Sequence, residues 1–122
     1  MRNKDFSDIL KKRIYFFIIK LIKFIERLPQ QNEVCIVIKR QLLRSGTSIG
    51  ANYVEATAGS SEKDFTNFLN HALKSANESK FWLCLLRDTN KGDREQIQNL
   101  LLELKEISSI LAQSIKTLRA KQ

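Results

Sequence analysis

The 122-residue chain has one proline, four glycines, two cysteines, one histidine and one tryptophan. So few turn-forming residues argue against all-β architectures, which need them at most chain reversals. Cys35 and Cys84 are too few for a disulfide framework and read as reduced intracellular thiols. A single histidine, His71, leaves most histidine-based catalysis and metal chemistry without parts. No apolar run reaches the ~18 residues that suggest a membrane span. The run Ile14 to Ile19 is interrupted beyond by Lys20 and Lys23, and no small-residue cleavage site follows it. The chain also lacks a P-loop, a Gly-rich dinucleotide turn, a nucleophile elbow and the paired Cys or His spacings of zinc sites. The expectation is a cytoplasmic protein that is not an enzyme, carries no cofactor or metal, and has no membrane partner.

What is present points to helices. Apolar residues at 43% and charged residues at 28% are ordinary for a globular chain. Taking ~100° per residue, the sequence divides into long helix-period segments with short polar breaks. The first runs from about Asp8 to Leu28, before Pro29, which disfavours helical geometry at its predecessor. The second runs from Asn32 or Glu33 to Ala58. Gly59-Ser60-Ser61 breaks the pattern, and Ser61 with Asp64 resembles a capping box that starts a third helix near Glu62 and carries it to Arg87. Asn90-Lys91-Gly92 is a turn signal, and Asp93 an N-cap for a fourth helix to Arg119. Each helix has an apolar seam: Leu10, Ile14, Phe17, Leu21, Phe24 and Leu28; Cys35, Ile38, Leu42, Ser45, Ile49, Asn52 and Ala56; Phe65, Leu69, Ala72, Ala76, Ser79, Leu83 and Leu86; Ile97, Leu100, Leu104, Ile107, Leu111 and Leu118. Seams at alternating three- and four-residue steps, joined by short connections, predict one all-α domain over residues 1–122, an antiparallel up-and-down four-helix bundle.

Two features exceed what a bundle core needs. Apolar residues of the first helix cover an arc of roughly 220°, from Phe24 through Phe17, Leu21, Ile14 and Ile18 to Ile22, Tyr15 and Ile19, against the ~100° a surface helix buries. Phe81, Trp82 and Leu85 add a surplus on the third helix. A thick core is the plain account, and a subunit-facing surface the preferred one, which makes the chain an oligomer. The second feature is charge. Eight basic and three acidic residues fall in positions 1–28, so +5 of the net +8 lies there. Lys12, Arg13, Lys20, Lys23 and Arg27 occupy the remaining arc of the first helix, with Phe16 among them. This arc reads either as a solvated outer face or as a stripe that tracks the phosphates of nucleic acid, its field summed over subunits. No sequence-reading motif accompanies it.

The second helix holds the least ordinary chemistry. Gly46 and Gly50 each cost an interior helix position about 1 kcal/mol, and their one-turn spacing lets another helix approach closely. Ser45 and Asn52 lie on the seam, with Glu55 one turn on, and Ser75, Ser79 and Glu78 of the third helix are candidate partners. Such a polar layer sets register or, alternatively, lines a ligand or partner site. Glu55 and Glu78 could pair as carboxylates, yet the Glu-x-x-His motifs of a di-metal bundle are missing. His71 reads as a surface residue.

The stretch from Gln41 to Ala56, with its R-S-x-x-S-I-x-x-N-x-x-E core at Arg44, Ser45, Ser48, Ile49, Asn52 and Glu55, closely resembles the bacterial 23S rRNA intervening-sequence proteins. So does the later run with Asp64-Phe65, Phe68-Leu69, Ala72 to Ala76, Glu78-Ser79 and Trp82-Leu83. The resemblance covers essentially the whole chain. It carries over the motif positions above, to which we add Ser75 and Glu78, and it brings no catalytic residues. It implies a homopentameric barrel or funnel of four-helix bundles. In some bacteria such proteins are encoded inside an insertion in the large-subunit rRNA gene, in others by free-standing genes. A related accessory protein of diversity-generating retroelements, also a basic pentamer, binds nucleic acid and a reverse transcriptase. The expected function is therefore binding of structured RNA through the basic face. The alternative is a protein-interaction scaffold, or an accessory factor for a polymerase or reverse transcriptase. Many relatives have Pro at the position of Gly50 and Gly at that of Ala56, a departure that alters the expected kink of the second helix.

Overall fold

A computed structural model describes residues 4–59 and 61–121. Four helices follow one another: α1 (Lys4–Glu26), α2 (Glu33–Ala58), α3 (Glu62–Asp88) and α4 (Arg94–Ala120). They pack in sequential order around one core, and no strand occurs among the described residues. Local chemistry sets the starts. The Asn32 side chain accepts from the Cys35 N–H at 3.0 Å, Ser61 from Asp64 at 3.1 Å and Asp93 from Gln96 at 2.9 Å, each satisfying a donor with no partner inside its helix. α1 begins a turn earlier than the pattern predicts and ends at Glu26 rather than Leu28. Pro29 disfavours helical geometry just before it, so Arg27 and Leu28 close the end as a turn onto the carbonyls of Phe24 and Ile25, both at 3.1 Å. Leu28 is still buried. At the α3–α4 turn Asn90 and Gly92 take positive φ, 58° and 83°.

All the predicted seam residues are buried except Asn52, which is half-buried; Tyr53 takes the buried place beside it. The pattern also missed Ile115, buried on α4. The helices run antiparallel: as α2 ascends through Gly46, Gly50 and Tyr53, its partners on α1 descend through Leu21, Ile18 and Ser7. A β-carbon at Gly46 would collide with the buried Leu21, and one at Gly50 would lie 2.7 Å from Ile18 Cδ1. Close approach of α1 thus offsets the helix propensity lost at both positions.

Candidate nucleic-acid interface

The basic arc of α1 lies along its seam with α4, and the structure divides it. Arg13 is committed: its guanidinium donates from Nε to Glu103 at 2.8 Å and from a terminal nitrogen to the other Glu103 oxygen at 3.0 Å, and it also pairs with Glu106. The bidentate contact raises the Arg13 pKa further above its ordinary value and lowers that of Glu103, against the opposing effect of partial burial. Lys20, Lys23 and Arg27 line a cleft of about 550 Å³, whose opposite wall includes Gln96, Asn99, Glu103 and Glu106. Lys12 is exposed outside this cleft, further along α1, beside Lys11, Tyr15 and Phe16. Phosphates approaching this cleft would meet three cations on one wall and, on the other, two carboxylates already held by Arg13. The two glutamates were missing from the sequence reading, because the periodicity of one helix does not say which flank of another it meets.

The motif residues of α2 separate into several environments. Ser45 and Ser79 are fully buried, with hydroxyls 2.8 Å apart, and Ser79 donates to the Ser75 carbonyl at 2.9 Å. Arg44 pairs with Glu78 and donates to Gln41 Oε1 at 3.0 Å, while Trp82 Nε1 donates to Glu78 at 2.9 Å. Ser48 and Asn52 donate within their own helix, to the carbonyls of Arg44 and Ser48, at 2.7 and 2.9 Å. Ile49 lies in the core and Glu55 is exposed. The α2–α3 polar contacts include one buried hydroxyl pair and one surface ion pair, and neither Asn52 nor Glu55 takes part in these two. Glu55 and Glu78 are not brought together, since Glu78 meets Arg44, about three turns of α2 away. His71 is exposed, with its ring 6.1 Å from that of Phe68. Among the described residues, no three His, Cys, Asp or Glu gather into a group able to hold a metal ion.

Of the apolar surplus of α1, Ile18 packs against the core, while Tyr15, Ile19 and Ile22 lie outside it. Tyr15 is 63% exposed and Ile18, Ile19 and Ile22 are half-buried; Leu43 and Val54 on the same side of α2 are 42% and 45% exposed. These positions form a strip along α1 and α2, turned away from the α1–α4 cleft. Phe81 is exposed on α3, its ring edge-on to Trp82, while Trp82 and Leu85 pack against the core. Among the described residues, no helix is long and apolar enough to cross a membrane.

The family model described as 23S rRNA-intervening sequence protein matches residues 8–113. The chain belongs to the 23S rRNA-intervening sequence protein family. A crystal structure of a protein with unknown function from the S23 ribosomal protein family, from Bacteroides thetaiotaomicron VPI-5482, is similar to it. That protein is 39% identical, the match covers 90% of this chain and 97% of the other, and the TM-score is 0.81. No curated protein matches. The intervening-sequence match includes the α1 basic arc, the Arg13 clamp and the whole α2 motif.

Proposed function

We propose that this intervening-sequence protein is a non-enzymatic cytoplasmic homo-oligomer, a pentamer, that binds structured RNA through the basic arc of α1. The observation that carries the reading is the convergence of Lys20, Lys23 and Arg27 on one cleft, with Lys12 further along the helix. Arg13 holds the α4 wall and shapes the cleft. The apolar strip of α1 and α2 serves subunit contact, which leaves the basic flank outward and repeats it once per subunit. The family description, which names 23S rRNA, is consistent with an RNA ligand. Binding of nuclease-cleaned protein to structured RNA is expected to weaken steeply with salt, as counterion release requires. Reversing charge at Lys20, Lys23 and Arg27 together should abolish binding and leave the oligomer intact; unchanged affinity would remove the arc from the account.

A second reading draws on exposed Val34 and Val37 of α2 and Phe81 of α3, apolar surface that the α1–α2 strip does not include. It makes the oligomer a scaffold for a protein such as a polymerase. A partner that copurifies through nuclease treatment and high salt would favour it.

A further inference from the structure

The charges of α3 and α4 are sorted by side. Glu78 turns to Arg44 on α2, and Glu103 and Glu106 turn to Arg13 on α1. The other acidic residues stand at helix ends: Glu62 and Asp64 in the first turn of α3, Asp88 at its end paired with Arg87, and Glu95 in the first turn of α4. What remains on the flanks that α3 and α4 share is basic. Lys105 and Lys116 are three turns apart on one stripe of α4. Lys74 occupies the corresponding outer stripe of α3 with Asn70, Asn77 and Phe81, and Lys80 lies one step closer to α4. Lys74, Lys105 and Lys116 are exposed and Lys80 is half-buried. Among the described residues none of the four forms an ion pair; Lys80 donates to Asn77 Oδ1 at 3.4 Å.

Lys80 and Lys105 lie on adjoining flanks of α3 and α4, near enough for their charges to interact. Partial burial, and then the charge of Lys105, lower the Lys80 pKa below its ordinary value, so these cations repel each other without a neutralising partner. An anion placed between them would relieve the repulsion. From Lys105 to Lys116 is about 16 Å along the helix, a distance that a few successive phosphates of one strand can span. A compact anion would meet one or two of these lysines, whereas a chain of phosphates can follow them all. Phe81, 55% exposed in the same stripe, offers a ring on which a base can stack.

We propose that the α3–α4 face is a second nucleic-acid surface, where Lys74, Lys80, Lys105 and Lys116 follow the phosphates of a single strand and Phe81 stacks on a base. The inference rests on the nucleic-acid reading of function but not on the α1 arc, and the experiment separates the two. Binding of a short fluorescent single-stranded RNA of mixed sequence is measured across a salt series for three reversed or truncated variants of the full chain. Lys80→Glu/Lys105→Glu/Lys116→Glu should weaken binding more than tenfold and lower the salt slope by about two. The corresponding triple arginine variant should bind like the wild type, which separates lost charge from a damaged fold. Phe81→Ala should weaken binding about fivefold or more and leave the slope unchanged. Wild-type affinity and slope in the triple glutamate variant would overturn the inference, while loss on reversing Lys20, Lys23 and Arg27 alone would uphold the α1 reading. Absence of wild-type binding at low salt would overturn both. So would wild-type binding confined to phosphatidylserine vesicles, which would assign the lysines to a membrane surface.

Discussion

The α2–α3 interface and the α1–α4 seam join neighbouring helices of one bundle in opposite ways. Between α2 and α3 the contact residues include Ser45, Ala56, Ala72, Ala76 and Ser79, all with essentially no exposure, so the backbones approach closely and the hydroxyls must satisfy each other. Between α1 and α4 the seam is pinned in the middle by Arg13 with Glu103 and Glu106, and it opens on either side. On one side a cavity of about 590 Å³ is lined by Phe6 and Leu10 of α1 and Ile110 and Ser114 of α4, and reaches Tyr53 of α2 and Phe65 of α3; on the other a cleft of about 550 Å³ is lined by Lys20, Lys23 and Arg27. Small side chains make a seam dry and unreceptive; long charged ones hold it ajar and leave polar edges that a ligand can reach. The candidate RNA site accordingly lies along the looser seam.

The largest test of this contrast inserts the same side chain into both seams. Ser79→Leu should destabilise the fold by about 3 kcal/mol, on the order of a 10 °C fall in Tm, because it overpacks a closed contact and takes the Ser45 hydroxyl's partner away. Ser114→Leu, on the α4 wall of the open 590 Å³ cavity, should stay within about 0.5 kcal/mol of the wild type. Equal losses in thermal unfolding would erase the distinction. Asn32→Ala, which removes the cap of α2, should cost about 1 kcal/mol by urea denaturation, with a smaller loss for Asn32→Gly.

Arg13→Met tests the pin, and its cost should be below about 1 kcal/mol at neutral pH because the pair is partly solvated. The Glu103 carboxyl is held below its usual range, first by the hydrogen bond from Arg13. Its contribution is therefore complete above the ordinary carboxylate pKa and disappears as acid protonates Glu103 through the lowered value. Wild type and Arg13→Met should converge in stability as pH falls through that window, and a gap that persists in strong acid would count against the pin. The smallest effect belongs to Glu55→Ala, below about 0.5 kcal/mol, since the side chain is exposed on the outer flank of α2. A loss of 2 kcal/mol or more would show that this motif glutamate has a structural role.

Much of the fold was legible because its determinants are local. Asn32, Ser61 and Asp93 act within one turn, and the seam from Leu10 to Phe24 repeats at the helix period, so caps and core positions can be read residue by residue. Even the glycine spacing at Gly46 and Gly50 announced a close neighbour. Asn52 failed as a core position for a local reason as well, because an amide able to bond to the Ser48 carbonyl of its own helix needs no partner across the bundle. The candidate site was half legible. The cations of α1 stand out in composition, but their anionic counterparts lie 90 or more residues away, at Glu103 and Glu106.

The sequence by itself determined four helices, where α2, α3 and α4 begin, which stripe of each faces inward, and an excess of positive charge concentrated on the first. Only the tertiary structure decided how those charges are shared: that Arg13 is taken by α4, that Glu78 is taken by Arg44, and that Lys80 is left beside Lys105. The reason is physical. Helical periodicity fixes the angle of a side chain about its own axis, whereas ion pairing depends on the rotation and axial offset of one helix against the next, and packing of the buried seams sets those.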